Sequence, residues 1–130
     1  MADVTVKRLD ECETVFGGAM ARVRSELGVT SFGMQVINLP PSWDGYPEHD
    51  HAGDGQEEVY VPISGSVTLV AAGKEHVLTP GSFARVGPGE KRTLKPGAQG
   101  AQLLCLGGTP GKAFEVQSWT EVGQPEPAMP

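Results

Sequence analysis

The chain has 130 residues, a formal net charge of −6 at pH 7 and a sequence pI near 4.9. This length is enough for one domain with its own core, without a disulfide to staple it. The acidic balance argues against nucleic acid and anionic membrane surfaces as partners, because both require a concentrated basic face.

Three features of the sequence bear on the compartment. The first ten residues contain no apolar core of signal-peptide length. The longest apolar run, 103–106, is far too short to span a bilayer. The two cysteines, Cys12 and Cys105, are far apart and in no metal-binding spacing, which is typical of a reducing compartment. We therefore expect a cytoplasmic protein without a membrane partner.

In chain order, the predicted elements begin with a short strand and the one plausible helix, after which only strands follow. The helix is expected to end at Gly28. Glycines such as Gly65, Gly89 and Gly97 punctuate the later apolar runs as turns. This spacing of short strands favours an all-β sandwich or barrel. The predicted bounds are 4–6 for the first strand, 19–27 for the helix, and 32–39, 49–51, 58–64, 66–71, 76–79, 83–86, 101–106 and 113–116 for the later strands.

The same pattern divides the chain into three parts. Residues 1–31 form an N-terminal strand and short helix that pack on a barrel, and residues 32–118 form the barrel itself. Residues 119–130 are a proline-rich tail that we expect to be poorly ordered.

The strongest functional signal is His49-Asp50-His51, followed after a short spacer by Glu57 and Glu58. Residues i and i+2 of an extended segment point to the same side, so the two histidines lie side by side. A carboxylate from the next strand completes a 2-His-1-carboxylate set, which binds divalent first-row metals and leaves coordination positions open. Simple alternation turns Glu57, rather than Glu58, toward the apolar face of its strand.

These residues resemble the first motif of the cupins, which reads His-x-His, a spacer, Glu, six residues, Gly. It corresponds here to His49, His51, Glu58 and Gly65. The spacer is slightly longer than usual in that family, the extra length being the small-residue segment 52–55.

The second cupin motif, Pro-x-Gly, two residues, His, three residues, Asn, is present only in part. Pro-x-Gly becomes Gly87-Pro88-Gly89, the expected His falls on Arg92 and the expected Asn falls on Pro96. The resemblance covers residues 32 to 107 and implies a jelly-roll β-barrel. It also implies a homodimer in which residues 4–6 extend the partner's sheet, which would remove an exposed edge.

The resemblance further implies a ligand set for one divalent cation, in which zinc, iron, manganese and nickel are not distinguished. The metal ligands would be His49, His51 and Glu58, with Glu58 and Tyr60 lining a polar lumen. Glu57 is the alternative carboxylate.

Arg92 leaves two functions open, one an enzyme and the other a binding module. In the first, a metal is bound, the missing ligand leaves extra open positions, and Arg92 holds a substrate carboxylate beside the metal. In the second, Arg92 pairs with Glu58. Because a guanidinium cannot be deprotonated and repels a dication, the domain would then bind a small anionic molecule without a metal, through Arg92 and Tyr60.

Overall fold

The computed structural model describes residues 2–128 and has one antiparallel sheet of seven strands. Within these residues one short α-helix, α1, precedes the long strands, and no helix is long and apolar enough to cross a bilayer. Two 3-10 helices flank the sheet. The strands are β1 (Thr14–Val15), β2 (Met20–Ala21), β3 (Gly33–Leu39), β4 (Glu57–Ala71), β5 (Lys74–Leu78), β6 (Ala84–Val86) and β7 (Arg92–Gly108); α1 is Val23–Leu27, and the 3-10 helices are Leu9–Glu11 and Ser118–Thr120.

The strands are interleaved in the order β1-β2-β3-β7-β4-β5, with β6 pairing with β4. Strand β7 is the centre of this arrangement, since it pairs with β3 along its second half and with β4 along most of its length. The all-β jelly-roll with one short N-terminal helix is therefore confirmed.

Two apolar clusters hold the sheet. The larger one lies inside the curved sheet and includes Leu39, Leu69, Leu94 and Leu103, each at most 3% exposed. The smaller one joins Cys12, Ala21 and Val23 to Val36 on the other face of β3. Because successive residues of β3 point to opposite faces, the N-terminal segment covers one face and the main core lies against the other.

Strand β4 changes phase at one extra residue. Pro62 pairs with Leu103 and Ser64 with Gln102, so Ile63 has no partner and forms a bulge. Before the bulge the inward residues of β4 have even numbers, as in Glu58 and Tyr60; after it they have odd numbers, as in Val67 and Leu69. The apolar residues after the bulge therefore do not report the face of the residues before it.

The N-terminal predictions were partly wrong. The helix begins at Val23 instead of residue 19, because Met20 and Ala21 pair with Ile37 and Val36 as strand β2. Gly28 ends the helix as predicted, with a left-handed φ of 79°. Residues 4–6 pair with no strand in the described chain, and Val4 and Val6 are exposed.

Four later predictions also need correction. Residues 58–64 and 66–71 are one strand, because Gly65 lies at a bulge instead of a turn. Gly97 lies inside β7, which is far longer than the predicted 101–106. Residues 113–116 form no strand, and of residues 49–51 only His49 makes a bridge. The last two residues of the predicted tail lie outside the described residues.

Candidate metal centre

Backbone hydrogen bonds hold the two histidines beside the start of β7. The His49 N–H donates to the Arg92 carbonyl over 3.1 Å, and the Arg92 N–H donates back to the His49 carbonyl over 2.9 Å. The His51 N–H donates to the Pro88 carbonyl over 2.8 Å. The segment is thus fixed at two points, which brings the imidazole ring centres to 5.2 Å from each other.

The second residue of β4 brings a carboxylate to these rings. Glu58 Oε1 lies 3.8 Å from His49 Nε2 and 3.1 Å from His51 Nε2, and one ligand atom from each of the three residues lies within 4.8 Å of the others. Glu57 points to the opposite face of β4, where its carboxylate accepts a 2.7 Å hydrogen bond from Arg85. The side chain of Glu57 is 39% exposed, against 12% for that of Glu58.

The far nitrogen of each imidazole is already engaged. His49 Nδ1 lies 3.1 Å from the Pro47 carbonyl oxygen, and His51 Nδ1 lies 3.2 Å from the carboxylate of Asp54. Acceptors at Nδ1 place the ring proton there and leave the Nε2 lone pair free, as in most histidines that bind metals.

The free nitrogen of His51 fits a metal better than it fits its neighbours. His51 Nε2 is buried, and its 3.1 Å contact with Glu58 lacks hydrogen-bond geometry, so the atom has no hydrogen-bond partner among the described residues. A divalent cation about 2.0–2.2 Å from each ligand atom would satisfy it. The residues present therefore fit a metal ion held by two imidazoles and one carboxylate.

Glu58 is held in its charged form. Burial raises the pKa of its carboxyl, but the two histidines and Tyr60 outweigh burial and hold that pKa below its usual range. The Tyr60 hydroxyl donates to Oε1 over 2.8 Å, and the Cys105 thiol donates to Oε2 over 3.2 Å. In turn, the Glu58 carboxylate raises the pKa of His51. The same nitrogen can therefore hold a proton when no metal is present.

Arg92 and Tyr60, the predicted ligand-binding residues, lie behind Glu58. Both are 0% exposed, and neither lies on the wall of the cavity that opens onto the histidines. Arg92 Nη2 donates to the Gly87 carbonyl over 2.9 Å, and Arg92 Nη1 is 3.6 Å from Glu58 Oε1. Arg92 Nε and Nη1 have no hydrogen-bond partner among the described residues. The side chains of Arg92 and Tyr60 therefore contact the Glu58 carboxylate from behind and do not face the cavity.

A cavity of about 210 Å³ opens in front of the three ligands. Gly107 pairs with Glu58 across the sheet, and a Cβ at Gly107 would lie 2.8 Å from Gln56 Oε1. The lack of a side chain there leaves room beside the carboxylate. Phe114 and Trp119 of the C-terminal segment form part of the opposite wall.

Two buried arginines fasten this C-terminal segment to the barrel. Arg22 donates to the Trp119 carbonyl, and Arg24 donates to Glu121 over 2.9 Å. Arg22 and Arg24 are 1% and 2% exposed. We define residues 114–128 as the C-terminal strap, because several of them line the cavity. The sequence predicted a poorly ordered tail from residue 119 onward, because proline and polar residues give no periodic signal.

Two residues near the ligands were not predicted to take part. Asp54, in the long spacer between His51 and Glu58, accepts from His51 and from the backbone N–H of Gln56. The extra length of the spacer was the available signal. The sequence offered no functional signal for Cys105, which is in no metal-binding spacing, but its inward register in β7 places its thiol on Glu58.

The family described as the AraC-like ligand binding domain matches residues 32–130 of the chain. No curated protein matches the chain.

Solved structures share the fold. A cupin protein from Bacteroides fragilis is 20% identical, with a TM-score of 0.67 over 95% of this chain and 99% of its own. A sugar phosphate isomerase of the cupin superfamily from Silicibacter pomeroyi is 23% identical, with a TM-score of 0.66 over 79% of this chain and 74% of its own. The cupin domain of an XRE family transcriptional regulator from Enterobacter cloacae is 20% identical, with a TM-score of 0.53 over 64% of this chain and 86% of its own.

Proposed function

Because the chain belongs to the AraC-like ligand binding domains of the cupin superfamily, we propose that it binds a small organic ligand at a divalent metal ion. The metal ligands are His49, His51 and Glu58. The observation that carries the proposal is the convergence of two imidazole nitrogens and one carboxylate oxygen within 4.8 Å.

The charges at the site favour an anionic ligand. A dication adds two positive charges beside Arg92, and Glu58 is the carboxylate that faces both. Glu58 and the Asp54 carboxylate beside His51 balance only two of these three positive charges, so an anion in an open coordination position gains electrostatic stabilisation. When bound, the metal supplies Lewis acidity to that ligand. Tyr60 and Cys105 orient the carboxylate by donating to its two oxygens.

A metal-free binding module is the second candidate. The observation in its favour is the 3.6 Å separation of Arg92 Nη1 from Glu58 Oε1, which makes an ion pair without any metal. A buried guanidinium disfavours a dication nearby. In this candidate the charge that meets an anion in the cavity comes from protonated His51, while the buried Arg92 balances Glu58.

Calorimetric titration of metal-free protein, purified without an affinity tag, tests the proposal. We expect one equivalent of Zn²⁺, Mn²⁺ or Ni²⁺ to bind at pH 8, and weaker binding at pH 6. The pKa of His51 is raised, so its protonated form competes with the metal as the pH falls, beginning above the pH at which an ordinary histidine would do so. No stoichiometric uptake of any of these ions would contradict the metal-bound function.

Replacing Arg92 by histidine should raise metal affinity by about tenfold or more, because a fixed positive charge is removed and an imidazole is supplied. Arg92→Met separates the two effects, since it removes the charge without adding a ligand. Arg85→Met is the matched control, because Arg85 pairs with Glu57 on the opposite face of β4. Equal metal affinities in wild type and Arg92→His would show that Arg92 does not act on the site.

We also propose a cytoplasmic homodimer. Val4 and Val6 support the dimer, because they are exposed and pair with no strand among the described residues, which leaves residues 4–6 available to extend the partner's sheet. Light scattering at tens of micromolar should give about twice the chain mass of 13.7 kDa. A monomer mass would contradict the dimer.

A further inference from the structure

A second cavity adjoins the metal-site cavity across the imidazole of His49. Its volume is about 380 Å³, within the range of ligand pockets. The two cavities share His49, Tyr46 and Trp119 as wall residues, together with Met20 and Ile37. The second space therefore lies directly beside the metal-site cavity, with the His49 ring between them, so a molecule that binds the metal through one end has this space next to it.

The wall of the second cavity is apolar and largely aromatic. Phe16, Trp43, Tyr46 and Trp119 supply rings from three separate parts of the chain, since Trp43 and Tyr46 belong to one loop. The ring centres of Phe16 and Trp119 are 6.1 Å apart, and those of Tyr46 and His49 are 5.8 Å apart. Among the described residues, no Asp, Glu, Lys or Arg lies on this wall, so His49, which the two cavities share, is its one basic side chain.

The backbone of Phe16, whose ring lines this wall, is strained. Phe16 has a φ of 56°, which a bulky residue rarely adopts. Its backbone N–H donates to Glu126 of the C-terminal strap over 3.3 Å. Strained residues persist only where surrounding contacts fix them. The N-terminal turn and the strap are therefore joined at the aromatic cavity.

We propose that this second cavity binds the aromatic body of a carboxylate ligand whose carboxylate group takes an open position on the metal. The binding of the carboxylate depends on the proposed metal site. The binding of the aromatic body depends only on the aromatic wall. Aromatic rings on several sides favour a ring over a flexible alkyl chain, through offset and edge-to-face contacts and because a ring has few rotors to immobilise.

The two tryptophans of the chain report on this cavity. Trp43 and Trp119 are the only tryptophans in the sequence, and both line it. The probes are 3-phenylpropionate, hexanoate and acetate, titrated into Zn²⁺-loaded and metal-free protein while tryptophan emission and heat are measured. We expect 3-phenylpropionate to bind the loaded protein at least about tenfold more tightly than acetate does, more tightly than hexanoate, and with a change in emission.

A cavity-filling variant locates the binding. Ala19 lines the aromatic cavity but not the metal-site cavity, so Ala19→Leu should abolish the preference for 3-phenylpropionate over acetate and leave Zn²⁺ affinity unchanged. Ala98→Leu, at an exposed position of β7, is the matched control.

The outcomes separate the aromatic cavity from the metal site. Equal affinity for hexanoate and 3-phenylpropionate, or an unchanged preference in Ala19→Leu, would overturn the aromatic cavity as the site. Absence of Zn²⁺ uptake together with retained, Ala19-dependent binding of 3-phenylpropionate would overturn the metal site and still support the cavity as the site of the ring.

Discussion

His51→Ala is expected to reduce the affinity for Zn²⁺ or Mn²⁺ by at least about 100-fold. The variant removes one of only two imidazole ligands, and loss of a residue that merely orients a ligand already costs about 10- to 100-fold. The variant also removes the Nδ1 contact with Asp54 and one of the two histidines that keep Glu58 charged, so a loss of stability of the metal-free fold is expected beside the loss of affinity. Isothermal titration measures the affinity, and thermal unfolding of the metal-free protein measures the fold.

His76→Ala is the matched control. The chain has three histidines. His76 is exposed on β5, where it pairs with Leu69 of β4, and it does not line the metal-site cavity. Its replacement should leave metal affinity unchanged. Equal affinities of His51→Ala and His76→Ala would mean that the metal is held elsewhere or that none is held.

Gly65→Ala is expected to destabilise the protein by about 3 kcal/mol or more, the range of severe steric and backbone effects. Gly65 has a φ of 72°, and a Cβ there would lie 2.0 Å from the Gly100 carbonyl oxygen. The Gly100 carbonyl is backbone and is followed by Ala101, which pairs with Gly65, so it cannot move away from the new Cβ without disturbing that pairing. Urea unfolding measures the loss.

Gly73→Ala separates strain from collision in this experiment. Gly73 has the same φ of 72°, but a Cβ there meets nothing within 4 Å. It should therefore cost only about 1 kcal/mol, for the left-handed conformation alone. Equal losses in the two variants would show that the close approach to Gly100 contributes nothing.

The local histidine motif predicted more of the site than the strand pattern did. His49, His51 and Glu58 are close in sequence, and two neighbouring segments suffice to bring them together. Alternation favoured Glu57 as the inward carboxylate because Glu57 shares a face of β4 with Val59 and Val61. In the structure these two valines are only half-buried, whereas Glu58 shares its face with the fully buried Tyr60.

Long-range contacts account for what the sequence did not predict. Cys105 reaches Glu58 only through the pairing of β7 with β4, 47 residues apart. The C-terminal strap depends on Arg22 and Arg24, whose partners lie about a hundred residues away. No local propensity encodes such contacts. The position of Arg92 was predicted by the second motif, but its burial behind Glu58 depends on how β7 pairs with the His49 segment.

Anomalous X-ray scattering at the metal absorption edge, from crystals of Zn²⁺- or Mn²⁺-loaded protein, tests the metal site most directly. We predict one strong peak, about 2.0–2.2 Å from His49 Nε2, His51 Nε2 and a Glu58 carboxylate oxygen. A crystal with no peak among these three residues, and with Arg92 Nη1 still beside the Glu58 carboxylate, would contradict the metal site.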